Sequence, residues 1–289
     1  LVKRLLDENH EVWGVDALLY SVNYKPPKGL TFHNLSVETF FRSCPKMKFD
    51  WILHLGSPAS PIWYLQYPLI TIHANTTDLE LCLNHTKKLL FTSTSEIYGE
   101  PLKHPQKESH YGNVDPFCMR SVYDESKRLG ETLCYVYDNA VVVRLFNAYG
   151  PGMNFDDGRV MINFIKQALQ NEPITIYGDG TQTRSFTYID DTISGIMTVM
   201  TESSIREVYN IGNDKEITIK ELANMIIRTT NSKSMIVYET LPPNDPTRRC
   251  PDCTKIRRLG WEPEIPLITG INRMIKDVKR RMRKGEKCS

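Results

Sequence analysis

The chain has 289 residues, 40% of them hydrophobic and 24% charged, with a formal net charge of +2 at pH 7. That length holds one large α/β domain or two smaller ones sharing a cleft, and the composition is ordinary for a globular protein. The near-neutral balance calls for no nucleic-acid or acidic-membrane partner, and no apolar run approaches the roughly 20 residues that cross a bilayer.

Leu1-Val2-Lys3-Arg4-Leu5-Leu6 reads as a helix already under way, closed by Asn9-His10. Val12-Trp13-Gly14-Val15-Asp16 reads as a short buried strand ending in an acid. Residues 17–50 show no strong periodicity and contain Pro26-Pro27 and Gly29, so they are expected to be mostly loop. Trp51-Ile52-Leu53-His54-Leu55, Leu89-Leu90-Phe91-Thr92-Ser93 and Val141-Val142-Val143-Arg144-Leu145-Phe146 are continuous apolar runs, as in strands buried on both faces. Helical patterns over 68–86 and 122–138 lie between them. Strand and helix alternate, which predicts a Rossmann-like parallel sheet wound on both sides.

The texture changes after Gly150-Pro151-Gly152. A helix is expected over 160–169 and a strand over 174–177, ending at Gly178-Asp179-Gly180. Asp190-Asp191 opens another helix, with acids at its positive end. Thr218 and Glu221 make a capping-box pattern for a helix through about Arg228, and a last helix runs from Leu267 to Arg283. The basic run Lys279-Arg280-Arg281-Met282-Arg283-Lys284 reads as its solvated end.

The seven cysteines are scattered and odd in number, which suits reduced thiols rather than a disulfide frame. Cys250-Pro251-Asp252-Cys253 has metal-ligand spacing but no second pair or well-placed histidines, so no metal is expected.

Tyr123-Asp124-Glu125-Ser126-Lys127 sets a tyrosine and a lysine at i and i+4, on one helix face. A lysine cation there favours the tyrosinate, and such a tyrosine can take a proton from an alcohol while hydride leaves the same carbon. The motif alone is weak, because chance matches are common. Thr92-Ser93-Thr94-Ser95-Glu96-Ile97-Tyr98-Gly99 follows a strand, at the sheet end where such folds bind ligands. Asp16 ends the second strand of the pattern, where an acid suits an adenosine ribose and repels a 2′-phosphate, pointing to NAD.

Together these features resemble the extended short-chain dehydrogenases that act on nucleotide sugars, over nearly the whole chain. The most specific stretches resemble the UDP-glucuronate decarboxylases: Leu55-Gly56-Ser57-Pro58-Ala59-Ser60-Pro61, Ser93 to Gly99, Tyr123 to Arg128, Arg144 to Pro151, Asp157-Gly158-Arg159-Val160, Gly180 to Phe186, Asp245 to Asp252 and Leu259 to Pro263. The similar 4,6-dehydratases place an acid where Ser95 stands, and without it water loss lacks its proton donor.

The resemblance implies a fold with an NAD-binding domain over residues 1–150. It also implies a smaller, mainly substrate-binding α/β region over 151–289, with some elements returning to the sheet. It implies Tyr123 as the base at the sugar C4 hydroxyl, Lys127 at the nicotinamide ribose, and Thr94 completing the proton path. Glu96 and Arg249 match the remaining polar active-site positions, Arg249 meeting the carboxylate or supplying a later proton. Asp16, Asn75 and Ser93 fall with the cofactor. Tyr64 and Asn147 fall with the sugar, and Arg159, Tyr177, Gln182 and Arg184 with the rest of the UDP-sugar. The implied reaction is redox-neutral decarboxylation of UDP-glucuronate to UDP-xylose through a 4-keto sugar. A 4,6-dehydratase, a 4-epimerase or a truncated non-catalytic form are the alternatives. The resemblance further implies a homodimer, in the cytoplasm or, with an N-terminal anchor, in the Golgi lumen.

The sequence departs from that pattern at its start. The family opens with a strand and GxxGxxG, whose amides hold the pyrophosphate, and no such loop occurs here. The first strand and the loop are therefore expected to be missing from a chain that is a fragment of a longer protein. The segment after Asp16 lacks the usual glycine-containing turn, and Asn34 stands where an acid often lies near adenine.

Overall fold

The structure is a computed structural model that describes residues 1–19, 24–241 and 247–285. Asp245 and Pro246 of the quoted motif, and Cys288, lie outside the described residues.

The chain opens with α1 (Val2–Asp7) and β1 (Trp13–Val15). The stretch expected to be mostly loop instead holds β2 (Thr31–His33) and α2 (Val37–Ser43), and β3 (Phe49–His54) starts before its end. Helix α2 forms because Ser36 caps it, its hydroxyl accepting from the Thr39 amide at 3.1 Å, and because Phe40 and Phe41 are buried. Seven residues are too few for a period to stand out. Next come α3 (Pro61–Gln66), α4 (Pro68–Asn75), α5 (Thr77–Asn84), β4 (Thr86–Thr94), a 3-10 turn (Ser95–Tyr98), α6 (Ser121–Tyr137) and β5 (Ala140–Leu145). The helical pattern over 68–86 is two helices, broken where Thr76 leaves helical geometry at φ −126° and ψ −80°.

The second half runs β6 (Ala148–Tyr149), α7 (Val160–Gln170), β7 (Ile174–Tyr177), β8 (Thr183–Ser185), β9 (Thr187–Tyr188), α8 (Ile189–Glu202) and β10 (Val208–Ile211). It ends with β11 (Glu216–Thr218), α9 (Ile219–Thr230), β12 (Ile236–Glu239), β13 (Arg248–Arg249), α10 (Thr254–Arg257) and α11 (Leu267–Arg283). The capping box of α9 is made, Thr218 and Glu221 each bonding the other's amide.

The central sheet is parallel, in the order β10-β5-β4-β3. Its apolar runs serve both faces. Leu89, Phe91, Ala140 and Val142 pack with Phe40, Leu79 and Cys134 on the α2–α5–α6 side. Leu90, Val141 and Val143 pack with Ile196, Val199, Ile256 and Trp261 on the α8–α10 side. Elements α8 and β10 from the second half thus complete this layer. β1 and β2 form a separate parallel pair, and β1 and β3 are not hydrogen-bonded to each other. Trp13 meets Phe49 there edge to face, 6.0 Å between ring centroids. Another core, built on Ile162, Ile165, Ile174, Leu222, Ile226 and Met274, joins α7, β7, α9 and α11. A small sheet, β11-β8-β13, sets Arg249 in register with Arg184. Among the described residues no helix is long and apolar enough to cross a membrane.

Candidate active site

Strand β4 carries its buried run to Thr94, where the backbone turns at the C-terminal edge of the sheet. The Thr94 hydroxyl accepts from the Glu96 amide at 3.2 Å and is hydrogen-bonded to the Tyr123 phenol. Tyr123 and Lys127 share the buried face of α6, at 6% and 2% exposure. The Lys127 ammonium donates to the Thr92 carbonyl at 2.6 Å and lies 4.6 Å from the centroid of the Phe91 ring. Tyr64, buried on α3, stacks on Tyr123.

Burial pushes the Tyr123 phenol above its ordinary range, and the Thr94 hydrogen bond pulls the other way. Burial also drives Lys127 down to about 7, against the opposing pull of Cys134 and Glu131. The lysine is therefore poised between its two forms near neutral pH. It supports the tyrosinate only in its charged form.

Glu96 sits on the 3-10 turn between two guanidiniums: Arg120, at the N-cap of α6, and Arg249, on β13. Burial raises its carboxyl, but Arg249 and then Arg120 outweigh burial and hold it down at about 2. Arg249 is 3% exposed and reaches Ser95 Oγ at 3.5 Å and the Gly99 carbonyl at 3.3 Å. Arg120 Nε lies 3.6 Å from Asp124 Oδ2. The other oxygen of Asp124 is buried with no hydrogen-bond partner, and burial, then the Glu96 charge, push this carboxyl up to about 7.

Thr94, Glu96, Tyr123, Lys127, Tyr64 and Arg249 are thus brought together. Arg120 joins them and was missed from the sequence. Its signal was present: it precedes Tyr123 by three residues, less than one helical turn. Arg159, at the N-cap of α7, bonds Asp157 at 3.3 Å and acts electrostatically on the Tyr123 phenol. Asn147 donates to the Ser185 carbonyl at 3.1 Å. Tyr177 and Gln182 flank the Gly178-Asp179-Gly180 turn, Gln182 donating to the Tyr177 carbonyl at 2.6 Å, while Arg184 on β8 donates to the Thr183 carbonyl at 2.9 Å.

Asp16 is exposed just past β1, its carboxylate accepting from the Leu18 amide at 2.7 Å. Asn75, fully buried on α4, donates to Ser126 Oγ at 2.9 Å and leaves its Oδ1 without a partner. Ser93 donates to Glu131 at 2.5 Å, so its hydroxyl is turned to α6. A buried ammonium at Lys127, an unpartnered buried acceptor at Asn75 and an exposed carboxylate at Asp16 are chemically compatible with a dinucleotide.

Cys250 and Cys253 are buried and unpaired, they donate to the carbonyls of Asp214 and Gly212, and burial pushes both thiols up to about 12. His104, Glu216 and Cys250 do gather their ligand atoms within 4.8 Å of one another. The Arg248 guanidinium lies against that group, 2.9 Å from Glu216 and 2.8 Å from His104, and takes the place of a cation.

The model of the NAD dependent epimerase/dehydratase family matches residues 1–212. The chain belongs to this family. Among curated members, UDP-glucuronic acid decarboxylase 4 of Arabidopsis thaliana is 43% identical over 246 residues, which is 82% of this chain and 55% of that protein. The chain thus spans about half the length of that relative. UDP-glucuronic acid decarboxylase 1 of Danio rerio is 43% identical over 298 residues, covering 98% of this chain and 70% of the relative. In three dimensions the chain resembles the UDP-glucose 4-epimerase of Thermotoga maritima, solved with UDP-glucose, at a TM-score of 0.89 and 24% identity, covering 97% and 94% of the two chains. That likeness shows the fold.

Proposed function

We propose that the protein is an NAD-dependent UDP-glucuronate decarboxylase that forms UDP-xylose without net oxidation. The observation that carries this is Arg249, a buried guanidinium set against Glu96 and Ser95 just past Thr94, where a dehydratase would need an acid. Its fork suits the carboxylate of a uronic acid.

NAD, when bound, supplies the reversible oxidation at C4 that makes the sugar a β-keto acid. The chain's own residues do the rest. Tyr123 takes the C4 hydroxyl proton as the phenolate that charged Lys127 supports against burial, with Thr94 sharing the hydrogen bond. Arg249 orients the C6 carboxylate. The C5–C6 bond then breaks, its electron pair passes toward the C4 oxygen, and carbon dioxide leaves. The protonated phenol stabilises the resulting enolate oxygen, C5 takes up a proton from solvent water, and Tyr123 returns its own proton to C4–O. Lys127 and Asn75 hold the cofactor, with Asp16 and Ser93 assigned to the same role. Tyr64 and Asn147 line the sugar, and Arg159, Tyr177, Gln182 and Arg184 receive the uridine diphosphate.

The assembly is a homodimer built on α4 and α6, which touch each other and expose Leu69, Leu129, Tyr135 and Val136. A cytoplasmic location fits the six unpaired thiols among the described residues, the Golgi lumen being the alternative.

A proton NMR time course with UDP-glucuronate and catalytic NAD tests the proposal on protein expressed from its complete reading frame. UDP-xylose without net NADH is expected. A 4-keto pentose accumulating with NADH would replace the redox-neutral route by an oxidative one. Turnover of UDP-glucose in place of UDP-glucuronate would overturn the substrate.

A further inference from the structure

Glu96 is one carboxylate shared by two guanidiniums from different elements. Arg120 comes with α6, which packs on β4 and β5 of the central sheet, and Arg249 comes with β13 of the β11-β8-β13 sheet. Each guanidinium offers five donors, and one carboxylate cannot satisfy ten. Beyond Glu96, the contacts of Arg249 among the described residues are long, at 3.5 Å to Ser95 and 3.3 Å to Gly99. It can exchange one carboxylate partner for another. Arg120 stands at the first turn of α6, where its carbonyl accepts the Tyr123 amide at 3.1 Å, and its guanidinium has a second carboxylate beside it, Asp124 at 3.6 Å.

We propose that Arg120 is a positioning residue that keeps the Glu96 carboxylate in place and charged while Arg249 turns to the substrate's own carboxylate. This rests on the decarboxylase proposal for the identity of the incoming anion. A substrate carboxylate that takes Arg249 would otherwise leave the half-buried Glu96 without a cation, a state that favours protonation. With Arg120 present, the exchange leaves each carboxylate one guanidinium. The charged and titratable groups facing Glu96 are Arg249 from β13, and Arg120, Tyr123 and Asp124 from α6 and its cap. Tyr64 on α3 and Arg159 before α7 act on Arg120 and Tyr123 in turn.

The test compares Arg120→Met, which keeps bulk, with Arg120→Lys, which keeps charge, by the pH dependence of kcat and KM for UDP-glucuronate. In Arg120→Met, kcat is expected to fall ~100-fold with KM within ~3-fold, and the acid limb to move up by about one pH unit or more. Arg120→Lys restores most of the limb. A carbon-13 carboxyl titration by NMR without NAD, with the Glu96 signal assigned by its loss in Glu96→Gln, gives a readout free of turnover. There the Glu96 pKa rises in Arg120→Met, and rises further with UDP-glucuronate bound. An unmoved Glu96 titration and an activity loss equal at every pH would overturn the role. If the wild type fails to turn over UDP-glucuronate, the substrate assignment fails, while the titration in the free protein still reads the hold of Arg120 on Glu96. If Arg120→Met does not fold, the same two readouts on Arg120→Lys decide.

Discussion

Tyr64 lies flat against Tyr123, with ring centroids 5.4 Å apart and ring planes 9° from parallel. The two rings come from α3 and α6, so the stack walls off the phenol that is assigned the proton transfer. Tyr64→Ala opens that wall. The Tyr123 pKa should fall back toward its ordinary value near 10, read as the ultraviolet titration difference between Tyr64→Ala and Tyr64→Ala/Tyr123→Phe. Tyr64→Phe keeps the stack and the shift. Tyr123→Phe itself should lower kcat by ~100- to 10,000-fold while leaving the thermal melt in place.

Lys127 gives a pH-dependent stability effect of definite sign. Its folded pKa is lowered by burial from 10.5 to about 7, so between these values the unfolded chain binds the extra proton. The penalty for burying the cation is fully present below pH 7 and is relieved as pH rises through that window. Lys127→Met should therefore stabilise the fold by ~1–3 kcal/mol at pH 6, and by progressively less towards pH 10, in urea unfolding. The same variant should lose activity throughout.

Glu131 accepts from Arg144 at 2.7 and 3.0 Å and from Ser93, tying α6 to β4 and β5 beneath the site. Glu131→Gln leaves a buried guanidinium without its counter-charge and should cost ~3–5 kcal/mol of stability. Ser93→Ala separates two roles for that hydroxyl. Its bond to Glu131 predicts a cost of about 1 kcal/mol in unfolding with NAD affinity unchanged, and calorimetry would detect a cofactor contact as weaker binding.

Ser95→Asp places a carboxylate within reach of Arg249, now 3.5 Å from the Ser95 hydroxyl. The new anion competes for the guanidinium with both Glu96 and substrate. The expected result is a ~10- to 100-fold loss of kcat/KM on UDP-glucuronate, carried mainly by KM. A loss confined to kcat would place Arg249 in a later proton transfer instead.

The central sheet was legible because its strands are buried on both faces. Val141-Val142-Val143 has no polar alternation to confuse with a surface strand, and each residue finds a hydrophobic layer. Helix α9 was legible from the spacing of Thr218 and Glu221, a purely local interaction. Helix α2 was not, since its Ser36 cap stood among prolines and glycine that signalled loop. The β11-β8-β13 sheet was out of reach for a different reason. Two- and three-residue strands carry no pattern, and their pairing joins residues 183–185 to 248–249. The Arg120–Glu96–Arg249 clamp depends on that pairing, so the resemblance pointed to Glu96 and Arg249 one by one but not to Glu96 as the carboxylate that Arg249 shares with Arg120.

That same short pairing has a geometric consequence. Arg249 stands in register with Arg184, and Arg248 with Thr183, across two parallel strands. Side chains alternate along a strand, so a slip of β13 by one residue would send the Arg249 guanidinium to the opposite face and bring Arg248 toward the cleft. In the proposed complex, where Arg184 receives the diphosphate and Arg249 the sugar carboxylate, one backbone register places both cations at once, in steps of one strand residue of about 3.3 Å.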